Sequence, residues 1–469
     1  MSTYATVNPT TGETVKDFDS MSDAEAVGAV QVAHAAFQTW RRTEVAERAA
    51  LLQRIADGHR EHADELAALT TLEMGKPVAQ ARGEVALAAS IYEYYATKGV
   101  DLVADEPLDI AEEGSAIIRT EPVGALLGIM PWNFPYYQVA RFVAPNLLLG
   151  NTILLKHACN CPQQALSIAD VIAEAGSPDG VYQNVFASND QVARIIAHPF
   201  LQGVSLTGSE RAGQAVGSVA GANLKKSVLE LGGSDAFIVL ADADIRLAAR
   251  AAAAGRFANA GQACTSSKRI LVEDTVWDEF MDAFMACATE WTLGDPFEEA
   301  TRLGPMSSVA ARTGLVAQVE DAVAKGATVH LGGVVPDGTG AFYPATVLSG
   351  VDATMRAYHE ELFGPVAVVY RTTSPADAVR IANDSPYGLG GAVFSSDVGL
   401  AARVADQLDV GMVGINTTIK SAPDLPFGGV KNSGIGRELG RLGLDEFANK
   451  KLVKTLQTLA PPASRRGGN

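Results

Sequence analysis

Cysteine is scarce in this chain of 469 residues: there are four, at positions 159, 161, 264 and 287. They are too few and too unevenly spaced for a disulfide framework, and they point to a reducing compartment. Histidine is scattered, and the one close pair, His59 and His62, falls in RIADGHREHADELAALT, where a solvated helix face is expected rather than a metal site. No Cys/His ligand spacing occurs elsewhere, so no metal is expected. Positive charge is also short, with 37 Lys+Arg against 54 Asp+Glu and a net charge of −17. Apart from SRR near the end there is no polybasic run, which argues against nucleic acid and anionic membrane surfaces as partners. No apolar run reaches membrane-spanning length, and MSTYATVNPTTGETV lacks a basic stretch followed by an apolar one. A soluble, cytoplasmic protein is expected. The dinucleotide fingerprint GxGxxG is missing as well.

A hydrophobic content of 47 % is ample for large cores, and the length calls for two or three domains. Residues 1 to about 103 read as helices that cover a sheet, and Tyr92, Tyr94 and Tyr95 read as core or interface. From about 123 to 231 strand and helix signals alternate, as in VGALLGIM, TILLKH, GVSLTG and KSVLEL. Mostly apolar strands in β-α units predict an open parallel sheet, which binds nucleotides beyond the carboxyl ends of its strands. That places interest on PWNFP, Lys156, Thr207, Gly208, Ser209 and Glu230. Glu230 ends an apolar strand, where an ionised carboxylate is costly without a partner.

The stretch FANAGQACTSSKRILVED sets Cys264 at a turn between an alanine-rich helix and a strand. A thiol held in a turn can face a cleft and act as a nucleophile. Cys287, in AFMACATEW, reads instead as a core residue. The strand-like pieces at 104–122 and 450–459 have too little apolar content to make a core of their own, and the last ten residues are expected to be disordered.

PWNFP (131–135), LELGGS (229–234), GQAC (261–264), ELFGPV (361–366) and PFGGVKNSGIGRE (426–438), in this order, resemble the aldehyde dehydrogenase superfamily over nearly the whole chain. KHACN and ELGGSDAFIVLADAD are most similar to bacterial succinate-semialdehyde dehydrogenases. The resemblance implies an α/β fold: a Rossmann-like cofactor-binding domain (1–103 and 123–231), an α/β catalytic domain (232–432), and a small β oligomerisation extension (104–122 and 450–459) that makes a homodimer or homotetramer. It implies that Cys264 attacks an aldehyde, with Asn133 and the Cys264 N–H holding the oxyanion and Glu230 activating water against the thioester. A free thiol titrates near about 8.5, so some thiolate is present at neutral pH.

By the same resemblance Lys156 and Glu361 hold the two riboses, Trp132 and Phe363 lie at the nicotinamide end, Gly208 and Ser209 lie by the pyrophosphate, and Leu231 approaches the nicotinamide through its backbone. NAD-preferring relatives often carry glutamate where this chain has Cys159. Without that carboxylate a 2′-phosphate is not repelled, so NADP is expected alongside NAD. Arg141 matches an arginine that semialdehyde-specific relatives use for the far carboxylate, and Ser421 adds a hydrogen bond. A second arginine of some relatives is replaced by Ala258, with Arg256 nearby. The alternatives are a broad aldehyde dehydrogenase for uncharged aldehydes, a cofactor-independent thiol hydrolase, and a non-catalytic relative.

Overall fold

The apolar runs Ala125–Met130, Thr152–His157 and Leu201–Thr207 become the middle of a six-stranded sheet. A computed structural model describes residues 4–456. In this sheet Lys226–Glu230, Leu201–Thr207, Ala125–Met130, Thr152–His157 and Tyr182–Asn184 lie side by side in parallel. Gly434–Ile435 adds to the Lys226–Glu230 edge in antiparallel. Alternation along the strands sends Leu126, Ile153 and Leu155 to one face and Ala125, Leu127 and Leu154 to the other. The first face packs on helices Val45–Glu61, Val78–Leu102 and Pro135–Leu149, the second on Asp23–Trp40, Asn189–Ala197 and Glu210–Ala222.

A second sheet of seven strands runs in the order Thr328–Leu331, Thr346–Ser349, Val366–Thr372, Arg269–Glu273, Ala236–Val239, Gly390–Phe394, Met412–Ile415. All but the first pair in parallel. The chain then returns to the first sheet at Gly434–Ile435. Register fixes the edge that matters: Thr207 lies opposite Glu230, and Ile129 opposite Lys156.

The self-insufficient segments pair with each other. Ala448–Thr455 runs antiparallel to Ser115–Pro122, which pairs with Glu106–Leu108. The helix before them extends to Leu102. Positions 457–459, read as part of the last strand, and the tail 460–469 lie outside the described residues.

Two expectations change. His59 does not lie on a solvated face: it is buried against Tyr92, its Nδ1 lies 2.8 Å from Ile55 O, and burial pulls its pKa down to about 4. The cause is the neighbouring helix Val78–Leu102, which covers that side of Val45–Glu61. Cys287 is only half-buried, at the rim of its core, because a cavity lined by Arg250, Trp291 and Arg302 opens beside it. Among the described residues no helix is long and apolar enough to cross a membrane.

Candidate active site

Helix Ile245–Phe257 ends in an unusual turn. Asn259 and Ala260 take φ of 53° and 52°, and Gly261 follows at 69°. Left-handed backbone is costly for alanine, and at Gly261 a side chain is also sterically barred, since a Cβ there would come 2.3 Å from Gly364 O. The turn is held from several sides. Gln262 donates to Asn259 O (3.2 Å) and accepts from Ser307 N (2.9 Å). Lys268, 1 % exposed, donates to Ala263 O (2.9 Å) and Cys264 O (2.8 Å) and pairs with Glu361 (3.0 Å). The thiol of Cys264 is thereby offered to a cavity of about 300 Å³, whose wall includes Trp132, Asn133, Thr207, Gly208, Ser209, Leu231, Glu361 and Phe363.

Asn133 is nearly committed. Its Nδ2 donates to Gln262 O (3.0 Å) and its Oδ1 accepts from Gln138 (3.3 Å), so one amide proton is left to donate into the cavity. The N–H of Cys264 has no acceptor among the described residues. Two donors of this kind suit a developing oxyanion. Burial pushes the Cys264 thiol up to about 12, opposed by Lys268 and Arg141. The resting group is a thiol, and it must lose its proton on attack.

Glu230 is 2 % exposed, and neither carboxylate oxygen has a hydrogen-bond partner among the described residues. Desolvation raises its pKa well above the usual glutamate range, with Arg141 opposing and Glu438 reinforcing. It lies against Gly428, where a Cβ would come 2.6 Å from Oε1, so the glycine makes room for the carboxylate.

Trp132 and Phe363 meet edge to face, with centroids 5.8 Å apart, at the cavity wall. Glu361 accepts from Gly233 N at 3.1 Å. Ser209 caps helix Glu210–Ala222 and lines both this cavity and a second one of about 450 Å³. The second is walled by Lys156, Asn189, Arg211 and apolar side chains from two helices, and its wall includes no carboxylate. Lys156 Nζ lies 4.0 Å from Cys159 Sγ. Two cavities that share the N-cap residue of one helix suit a dinucleotide, since a helix N-terminus favours a pyrophosphate. Leu231 lines the first cavity and is fixed by its own N–H, which donates to Ser433 O (2.9 Å).

Arg141 is buried and paired. Its guanidinium is 1 % exposed, paired with Glu438, and donates to Thr207 Oγ1 (3.0 Å) and Tyr137 Oη (3.2 Å). It is therefore not a bare cation in the cleft, because helix Pro135–Leu149 is buried on all sides and the returning 426–438 segment brings Glu438 against it. Ser421 is reached indirectly, since Tyr137 OH donates to Ser421 Oγ at 2.6 Å. Arg256 does not replace the arginine missing at Ala258. It is fully buried and clamps the Cys264 turn to the 361–366 loop through Leu362 O (2.8 Å) and Val366 O (2.6 Å).

The family model described as the aldehyde dehydrogenase family matches residues 1–453. The chain belongs to the aldehyde dehydrogenase family. A relative from Deinococcus radiodurans, named a succinate-semialdehyde dehydrogenase for NADP(+), is 53 % identical, covering 99 % of this chain and 97 % of its own. One from Mycobacterium tuberculosis with the same name, numbered 1, is 45 % identical over 96 % of this chain and 99 % of its own. A succinic semialdehyde dehydrogenase from Streptococcus pyogenes, solved in complex with NADP+, is similar at 41 % identity and a TM-score of 0.95, covering 97 % of this chain and all of that one. In this aldehyde dehydrogenase, Trp132, Asn133, Gly208, Ser209, Leu231, Cys264, Glu361 and Phe363 line one cavity and Lys156 and Ser209 the other, while Glu230, Cys159, Arg141 and Ser421 line neither.

Sequence reasoning missed Lys268, Arg211 and Gln138. Lys268 stands in SSKRILVED next to Arg269, and nothing in that string separates a buried ammonium from a solvated one. Because burial disfavours the Cys264 thiolate, alkylation of the purified enzyme by iodoacetamide should accelerate about tenfold per pH unit across neutral and mildly alkaline pH, and Cys264→Ser should remove the reaction. A plateau near pH 7 in the alkylation rate would contradict this account of the thiol.

Proposed function

We propose that this protein oxidises succinic semialdehyde to succinate with NADP in preference to NAD, as a cytoplasmic homo-oligomer. One observation carries the reading: the cavity walled by Cys264 and Asn133 shares Ser209 with a second cavity that Lys156 lines and no carboxylate does. The names of the Deinococcus and Mycobacterium relatives support both the substrate and the oxidant. In support of assembly, the three-stranded sheet leaves Leu452 61 % and Leu108 38 % exposed.

Cys264 Sγ loses its proton to water and attacks the aldehyde carbon, forming a C–S bond as the carbonyl π pair moves onto oxygen. The remaining amide proton of Asn133 and the N–H of Cys264 hold the oxyanion of the thiohemiacetal. The bound nicotinamide supplies a hydride acceptor. Loss of hydride from the former aldehyde carbon leaves a thioester on Cys264. Glu230 then takes a proton from water, the water oxygen attacks the carbonyl, and the C–S bond breaks to release the acid. Lys156 and Glu361 would hold the two riboses, and Gly208 and Ser209 the pyrophosphate, while Trp132 and Phe363 wall the nicotinamide end. The Cys159 thiol stands near Lys156 where a carboxylate would repel a 2′-phosphate.

For the substrate's far carboxylate, the proton positions matter. Arg141 donates to Tyr137, and Tyr137 donates to Ser421, so the Ser421 hydroxyl keeps its own proton to give outward. The polarised chain ends on a half-exposed serine. Neutralisation of Arg141 by Glu438 favours a second reading, in which uncharged aldehydes are used equally well.

Initial rates with succinic semialdehyde and butanal separate the two. A strong preference for succinic semialdehyde is expected, and Ser421→Ala should reduce it by roughly tenfold, the value of one hydrogen bond to a charged group, while sparing butanal. Equal kcat/KM for the two aldehydes in the wild type would select the second reading. For the cofactor, Cys159→Glu should lower kcat/KM for NADP by at least about tenfold relative to NAD, and an unchanged ratio would remove position 159 from the argument. Glu230→Gln should keep the first-turnover burst of reduced cofactor but slow steady turnover by about a hundredfold or more. Because the Glu230 pKa is raised, its ionised, proton-accepting form grows with pH, so wild-type turnover limited by hydrolysis should rise with pH well past 4.5. A rate that is flat from pH 5 upward would count against Glu230 as the base.

A further inference from the structure

The oxyanion donor Asn133 is gripped by a buried ion pair that the reaction itself does not use. Gly75, at φ 77°, ends helix Ala63–Met74, and Pro77 opens helix Val78–Leu102, so Lys76 sits on a rigid joint with its side chain turned inward. Lys76 and Glu84 pair with both side chains 1 % exposed. The ammonium donates to Asn133 O at 2.8 Å and lies 3.9 Å from the Phe134 ring centroid. Asn259, from the turn before Cys264, donates to the same carbonyl at 3.0 Å. On the other side of the pair, Glu84 Oε1 accepts from Tyr136 N at 2.9 Å and Tyr137 N at 3.3 Å. Those are first-turn N–H groups of helix Pro135–Leu149, whose N-cap residue Phe134 supplies no side-chain cap.

One ion pair therefore holds the chain on both sides of Pro135: the carbonyl of Asn133 before it and the helix N-terminus after it. Burying two charges is expensive, and such pairs give little net stability compared with apolar packing. Their value lies in direction. The ammonium, the carboxylate and Asn259 together fix where the backbone of Asn133 stands relative to Cys264.

We propose that Lys76 and Glu84 are positioning residues for the oxyanion site and act on the reaction through Asn133. This rests on the assignment of Asn133 as the oxyanion donor to an aldehyde bound at Cys264. Displacing a catalytic donor by about 1 Å costs on the order of a hundredfold in rate. Alkylation of Cys264 by iodoacetamide is a displacement at saturated carbon that forms no oxyanion, so it reports the thiol and the folded fraction without the donor.

The experiment compares the wild type, Lys76→Met, Glu84→Gln and Asn133→Ala, together with Lys76→Met and Glu84→Gln each in the Asn133→Ala background. The first-turnover burst of reduced cofactor and the iodoacetamide rate are measured for each. Lys76→Met and Glu84→Gln should each slow the burst by roughly a hundredfold and change alkylation by less than about twofold, and each should cost less than about twofold more once Asn133 is alanine. Penalties that multiply in the Asn133→Ala background, or alkylation that falls in step with the burst, would overturn the proposal. Glu84→Gln is isosteric and keeps an oxygen for Tyr136 N, so it decides the matter if Lys76→Met does not fold, and an undiminished burst in it is also a refutation. A wild type that oxidises no aldehyde would instead overturn the activity reading beneath it.

Discussion

The ammonium of Lys268 is the contact on which the site's geometry most depends. It bonds the carbonyls of Ala263 and Cys264 and pairs with Glu361, so one buried charge fixes the nucleophile's turn and a carboxylate of the same cavity. The turn needs such a hold. Two non-glycine residues in left-handed backbone do not stay there by local preference, and Arg256 adds further bonds to the 361–366 loop from the other side. Breaking a buried pair by removing one partner costs about 3–5 kcal/mol, so the turn and the loop are coupled rather than independently mobile.

Buried charge recurs around the cavity. Lys76 with Glu84, Arg141 with Glu438 and Lys268 with Glu361 are all held within a few residues of Asn133, Glu230 or Cys264 in space or sequence. The surface, by contrast, carries the excess of acid that gives the chain its net charge of −17. Charges inside a low-dielectric wall direct hydrogen bonds without reorganising, and that rigidity is what an oxyanion site and a shaped cavity need.

The sequence made the parallel sheet, the turn at Cys264 and the strand-end position of Glu230 readable, because apolar runs, alanine-rich helix and turn residues report local structure directly. It did not show which charged side chains turn inward. Arg141 read as the arginine for the far carboxylate because a motif gives its position but not its partner, and Glu438 arrives from almost three hundred residues away. His59 read as solvated for the same reason, since the helix that buries it lies further along the chain. Lys76 and Lys268 carry no local signal at all: only the tertiary structure distinguishes a lysine at a joint from one in water.

Burial disfavours the anion of both reacting groups, raising the pKa of the Cys264 thiol and of the Glu230 carboxyl, with Arg141 opposing the rise in each. A low-dielectric pocket makes each anion costly when it stands alone, yet the same pocket strengthens every dipole aimed at a charge that forms there during reaction. The arrangement thus suppresses the idle thiolate, which would be open to oxidation, and reserves stabilisation for the tetrahedral oxyanion facing Asn133. The wall that raises the thiol's pKa and the wall that orients the amide are one structure, so a change that lowered the first by admitting water would weaken the second.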